Sequence, residues 1–303
     1  MRSVNVLLSL LSVLLILAAT TASANDYPTQ YPFPDSRLQT GPELRFCIDK
    51  RDPTWRAQQA IAEEIALSVG RPATFFVTRE EDERGGYQMA STRKEFLVRL
   101  ATQCDAYMGL PGSTTAAFDY PADEEMLASQ PFFRTGFQLV SRDPSIESLT
   151  DLSPDDQLAL QGRGVPYLLL MTTRPDSVQV KRYRSSDAIV TALRAGEVDH
   201  AVVYAPQLYG EMTDPEGEGF GVHPVTSLPN MEWYVFAGLR SDRPTLRQKF
   251  DRAISRMLES GRMGEILADN GLPAGAFRPA AADAVIPDDD FGDDDDDDDE
   301  GSA

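Results

Sequence analysis

The chain has 303 residues, a formal charge of −20 and two cysteines. Asp288, Asp289, Asp290, Asp293 to Asp299 and Glu300 carry eleven of the negative charges, so the remainder is at −9. That balance disfavours nucleic acid and anionic membranes as partners and favours cations or basic protein surfaces.

The N-terminus reads as a secretory signal. Arg2 precedes an apolar run from Val6 to Ala19, and Ala22-Ser23-Ala24 has the small-x-small cleavage pattern. The run is short for a membrane span and no second one follows, so the expected product is exported and not inserted in the membrane. The expected layout is a signal over 1–24, a Pro- and Tyr-rich extended leader over 25–43, a first lobe over 44–138, a second over 139–232 and a return to the first over 233–272. A linker and acidic tail occupy 273–303.

A strand is predicted at Leu44–Asp49, followed by a helix from Thr54 to Val69 whose Ile61, Ile65 and Val69 share one face, with Gly70 to stop it. Thr74–Val77 is a second strand, and Glu80–Gly86 a charged loop. A helix through Phe96 and Leu100 leads by way of Asp105 to a strand at Ala106–Gly109, and Leu110-Pro111-Gly112-Ser113 reads as a turn beyond it. The same helix, turn, aspartate and strand recur about ninety residues later, from Ile189 through Asp199 to Tyr204. Such a repeat predicts a two-lobed α/β architecture with a cleft between the lobes. That is a binding arrangement before it is a catalytic one.

Gly136–Val140 is expected to cross from the first lobe to the second, and Trp233–Ala237 to return. Between them lie a short helix at Ile146–Leu152, strands at Gln157–Leu160, Val178–Tyr183 and Ala201–Tyr204, and helices at Tyr167–Met171 and Asp187–Leu193. Gly162-Arg163-Gly164 is a loop whose amides could meet an anion, or simply a tight strand-to-helix connection. A helix at Thr245–Leu258 and a turn at Met263–Leu267 would close the first lobe.

Cys47 lies in the first strand and Cys104 just before the third. In an oxidising compartment and neighbouring strands one disulfide is the natural reading; a catalytic or metal-binding thiol pair lacks histidine support. His200 and His223 have no nucleophile at a recognised spacing, and there is no Gly-x-Ser-x-Gly, Walker A or zinc pattern. No enzymatic activity is expected. The candidate cleft residues are Asp49, Trp55, Pro111, Gly112, Arg134 and Tyr204, each near a strand end or a crossing. Asp293, Asp294, Asp295, Asp296, Asp297, Asp298 and Asp299 are candidates for weak association with Ca²⁺ or a lanthanide, as hard cations prefer oxygen ligands. A solvated tail is the alternative.

The strand start, the Leu193–Asp199 element, the crossings and the closing helices resemble the type II periplasmic solute-binding proteins, family 3, over Leu44–Leu272. Leu44–Asp49, Gln103-Cys104-Asp105, Met108–Pro111 and Pro131–Phe137 look like a narrower branch, the MxaJ- and XoxJ-type accessories of PQQ-dependent methanol dehydrogenases. The resemblance implies a periplasmic, two-lobed protein that binds such a dehydrogenase and assists its maturation or activation. The alternative it implies is a transport receptor for a small solute. The sequence departs from the amino-acid-binding pattern. The stretch Ser113–Phe118 has no arginine for an α-carboxylate, and Tyr204-Ala205-Pro206 stands where an acidic residue would hold the α-amine. A zwitterion would lose two charge-assisted contacts worth about 1.5–3 kcal/mol each.

Overall fold

A computed structural model describes residues 41–77, 93–112, 126–173, 178–273 and 277–279. The signal, most of the leader, the Glu80–Gly86 loop and the acidic tail lie outside these residues.

Strands β1 (Leu44–Ile48), β2 (Ala73–Val77) and β3 (Ala106–Gly112) run parallel, with β1 in the middle. Helix α1 (Trp55–Val69) joins β1 to β2, burying Ala57, Ile61 and Ile65 on one face and ending at left-handed Gly70. Helix α2 (Arg93–Thr102) leads to β3. Asp105 ties the start of β3 to β1: its carboxylate accepts the Arg45 amide at 3.0 Å and Nε at 3.3 Å.

The second lobe repeats this plan. β6 (Gln157–Gln161) lies between parallel β7 (Gln179–Tyr183) and β8 (His200–Tyr204). Helix α3 (Val165–Thr173) joins β6 to β7, and α4 (Ser186–Ala195) leads to β8. The two helix-to-strand units seen in the sequence therefore occupy matching positions in the two lobes. Each lobe then takes one antiparallel strand from a crossing: β10 (Glu232–Arg240) beside β3, and the second half of β5 (Phe133–Ser141) beside β8. The sheet order is β2-β1-β3-β10-β5-β8-β6-β7. Short β4 (Met126–Ala128) lies on β10, and β9 (Gly221–Pro224) and β11 (Arg278–Pro279) lie on β5.

The change of partner along β5 is abrupt. Gly136 is opposite Glu232 of β10, and Phe137 is already opposite Tyr204 of β8. A Cβ on Gly136 would sit 2.9 Å from the Glu232 Cα and closer still to the Met231 carbonyl, so glycine lets the crossings approach.

Several segments depart from the sequence expectation. β3 continues through Pro111 and Gly112, because a shift in register allows Pro111 to lie opposite Val235 and Gly112 opposite Tyr234; the expected turn is strand. Ile146–Leu152 forms turns instead of a helix. There the Asp151 carboxylate accepts the Glu147 and Ser148 amides at 3.1 and 2.8 Å, satisfying the backbone locally. The expected Met263–Leu267 turn is helix α7 (Arg262–Asp269), following α6 (Pro244–Ser260), with Met263, Ile266 and Leu267 buried. Helix α5 (Ala205–Glu211) follows β8 directly, opened by Pro206 in its first turn.

The region beyond Pro273, expected to be linker, places Phe277 at zero exposure. Its ring meets Phe133 of β5 edge-on at 6.1 Å and Tyr209 of α5 at 6.4 Å. One residue thus joins the first crossing to a second-lobe helix. Cys47 and Cys104 form the disulfide, with Cα atoms 5.6 Å apart, among buried Phe96, Tyr107 and Phe236.

Candidate functional site: the crossing between the lobes

Parallel strands joined by helices leave their carboxyl ends on one edge, where ligands of open α/β sheets bind. Asp49 follows β1 on that edge of the first lobe, and Tyr204 ends β8 on that edge of the second. The predicted residues fall into two groups.

Asp49 and Trp55 belong to the segment between β1 and α1. The Asp49 carboxylate takes a fork from its neighbour Arg51, with Nε at 2.9 Å and Nη2 at 2.7 Å, and also accepts the Arg51 amide at 3.0 Å. Its charge is matched locally. Trp55 opens α1 and rests half-buried against the core, with Lys50 Nζ 5.1 Å and Arg56 Cζ 4.7 Å from its ring centre.

Pro111, Gly112, Arg134 and Tyr204 belong to the crossings. Arg134 on β5 pairs with Glu232 on β10 at 3.7 Å, so its cation already has a counterion from the other crossing. Tyr204 is the last residue of β8. Its ring stacks on Trp233 of β10 with centres 5.4 Å apart and planes 20° apart. Phe137 of β5 packs against both, 5.8 Å from each. Each crossing thus supplies one aromatic ring and the second lobe the third. The sequence places Trp233 and Phe137 in crossings but gives them no role at the site; the available signal is that both crossings carry aromatic residues, Phe133 and Phe137 in the first and Trp233, Tyr234 and Phe236 in the second.

A polar network absent from the sequence reading lies beside Asp49. Asp52 accepts the Thr54 amide, the Thr54 hydroxyl and Gln58 Nε2, all at 2.8 Å. Gln58 Nε2 also donates to Thr54 Oγ1 at 2.7 Å, and its fully buried Oε1 has no hydrogen-bond partner. The side chain presses against Gly109 of β3, a left-handed glycine at φ 83°. Burial pushes the Asp52 carboxyl above the usual range, aided by nearby Asp49, although its three donors pull the other way. The native state therefore holds this proton more tightly than the unfolded chain does. The stability it contributes is full below the ordinary carboxylate pKa and is lost as pH rises through the folded value. Urea unfolding between about pH 4 and pH 7 is expected to show Asp52→Asn gaining on wild type as pH rises; parallel profiles would refute this.

His200 looks catalytic only by distance. Its Nδ1 lies 2.9 Å from Ser141 Oγ, but the hydroxyl gives its proton to the Asp143 carbonyl at 2.7 Å. The imidazole must then be the donor to Oγ, the reverse of a base activating a nucleophile. Both residues are buried, and His200 begins the strand that Tyr204 ends, about 13 Å away at strand rise. This is a satisfied structural histidine.

Among the described residues no cluster of His, Cys, Asp or Glu could hold a metal ion, and no helix is long and apolar enough to cross a membrane. The candidate cation ligands Asp293 to Asp299 lie outside the described residues.

The architecture is that of the two-lobed, type II solute-binding proteins. An ancestral cationic amino acid solute-binding protein superposes with a TM-score of 0.56 at 16% identity, over 75% of this chain and 94% of its own. The second substrate-binding domain of Lactococcus lactis GlnP, in its open conformation, gives 0.55 at 12% identity over 75% and 94%. The second substrate-binding domain of a putative amino acid ABC transporter from Streptococcus pneumoniae gives 0.55 at 13% over 76% and 99%. At these identities the likeness is one of fold. No protein-family model matches the sequence, and no curated protein matches it.

Proposed function

We propose that this is a non-enzymatic, exported binding protein that holds a small solute between its lobes. The observation that carries the reading is the Phe137–Tyr204–Trp233 cluster at the hinge, in which both crossings and the second lobe each supply a ring, Phe137 and Trp233 partly exposed and Tyr204 buried. The fold shared with amino acid transport receptors supports it. The site's charges point away from a zwitterionic amino acid: Asp49 is matched by Arg51 and Arg134 by Glu232, and an aromatic Tyr204 occupies the end of β8. The solute class that suits it is neutral or weakly polar, held by ring faces and uncharged hydrogen bonds.

The chain has two tryptophans, Trp55 and Trp233, and both belong to the candidate site. Intrinsic fluorescence therefore reads it directly. A panel of neutral solutes is expected to give a saturable change in wild type that persists in Trp55→Phe and is lost in Trp233→Phe. Saturation by α-amino acids alone would overturn the solute class.

A second reading is favoured by one specific feature. The Cys47–Cys104 bridge stands where the likeness to the methanol dehydrogenase accessories places two cysteines. Under that reading the lobes present a surface to a PQQ-dependent methanol dehydrogenase in the periplasm. Retention of the dehydrogenase from native periplasmic extract, with no fluorescence response to any solute, would replace the first reading by the second.

A further inference from the structure

Helix α6 carries an exposed cationic stripe in an acidic protein. Lys249, Arg252 and Arg256 are exposed, and their spacing of three and four residues puts them within about 60° of one another on the helix. Among the described residues none of the three enters an ion pair. Arg256 donates to Ser68 Oγ at 2.7 Å and, at 3.2 Å, to the Arg252 carbonyl, both neutral acceptors. Nearby cations behave differently: Arg247 pairs with Asp251, and Arg262 with Glu64 and Glu265. The stripe is thus the part of this helix pair whose charge is left over. Phe250, Ala253, Ile254 and Met257 turn the other way into the core, so packing does not require cations at these positions.

We propose that this stripe is the docking surface for the chain's own acidic segment, Asp288–Glu300. Three observations favour that occupant. The segment carries eleven of the protein's negative charges in thirteen positions, a local density that needs counter-charge. The last described strand, β11, lies against α7, and α7 packs against α6, so the chain is last seen on the same side of the first lobe. The eight residues from Ala280 to Pro287 reach about 26–29 Å when extended, comparable with the roughly 25 Å length of α6. Tethering also raises the local concentration of the segment to the order of millimolar, so weak exposed pairs suffice to populate the contact. The contact is electrostatic and therefore salt-sensitive.

The lysine inventory makes a sharp test. The chain has only Lys50, Lys94, Lys181 and Lys249, spread over both lobes. A carbodiimide joins a carboxylate to a lysine amine with loss of water, adding no spacer. With the full chain at low salt, peptide mapping is expected to find intramolecular amides from Asp288–Glu300 to Lys249 at about five times or more the yield at exposed Lys181. High salt should remove the excess. The Arg252→Glu, Arg256→Glu double variant keeps the reporting lysine and alters only surface positions. It should bring Lys249 down to the Lys181 level with the urea midpoint close to that of wild type, since among the described residues the only side-chain partner lost is the exposed hydrogen bond from Arg256 to Ser68. Equal yields over all lysines at low salt would overturn the proposal, as would amides formed only between two copies or an excess at Lys249 that survives the double variant.

Discussion

Replacing Cys47 and Cys104 together by alanine is expected to lower the unfolding free energy by about 4 kcal/mol on the chain-entropy model. The bridge closes a loop with a sequence separation of 57 that contains α1, β2 and α2, so the cross-link constrains most of the first lobe's first half when unfolded. Alanine avoids burying a hydroxyl, as both sulfurs sit in the apolar cluster of Phe96, Tyr107 and Phe236. Urea unfolding of the double variant, beside wild type with and without reductant, measures the effect. Reduced wild type and the variant should agree, and a loss below about 1 kcal/mol would show that loop closure contributes little here.

The second large effect is expected at Phe277. Truncation of a fully buried phenylalanine costs about 3–5 kcal/mol, and Phe277 is at zero exposure. Its position adds a consequence that an ordinary core residue lacks. The ring is wedged between Phe133 on the first crossing and Tyr209 on a second-lobe helix, while Arg278 and Pro279 pair with Arg134 and Phe133. Tyr209 acts as an apolar wall, since burial, with Glu216 and Asp214 nearby, pushes its phenol up to about 12 and keeps it neutral. Phe277→Ala should therefore lower stability and also change how the lobes are held, seen as an altered scattering radius in the native state. Phe250→Ala is the control. Phe250 is equally buried but packs on Phe46 within the first lobe, so a comparable loss with an unchanged radius is expected. Identical scattering changes in both variants would remove the special role of Phe277.

Much of the fold was legible because its signals are local. The stripe of Ile61 and Ile65, the stop at Gly70 and the repeated helix–aspartate–strand unit depend on signals that neighbouring residues carry themselves. Where local chemistry competed, the reading slipped. Asp151 satisfied two amides and replaced a helix by turns, and a register shift turned Pro111 and Gly112 from loop into strand.

The site was less legible. Asp49 and Arg134 were recognisable as charges near strand ends, but their counterions were not. Arg51 matches one through a local fork, whereas Glu232 reaches Arg134 only because β5 and β10 pair in one particular register. The Trp233–Tyr204 stack likewise joins residues 29 positions apart through two different strand pairings with β5.

The sequence by itself determined that the chain would form a two-lobed α/β fold with a repeated helix-to-strand unit, and which cysteines could be joined. Only the tertiary structure decided which rings meet at the crossing, which charges are already spent, and that Phe277 belongs to the core. Periodicity is a property of consecutive residues, but register between distant strands is chosen by how whole sheets pack, and one residue of slip would send the strand side chains among these, Arg134, Phe137, Tyr204 and Trp233, to the opposite face.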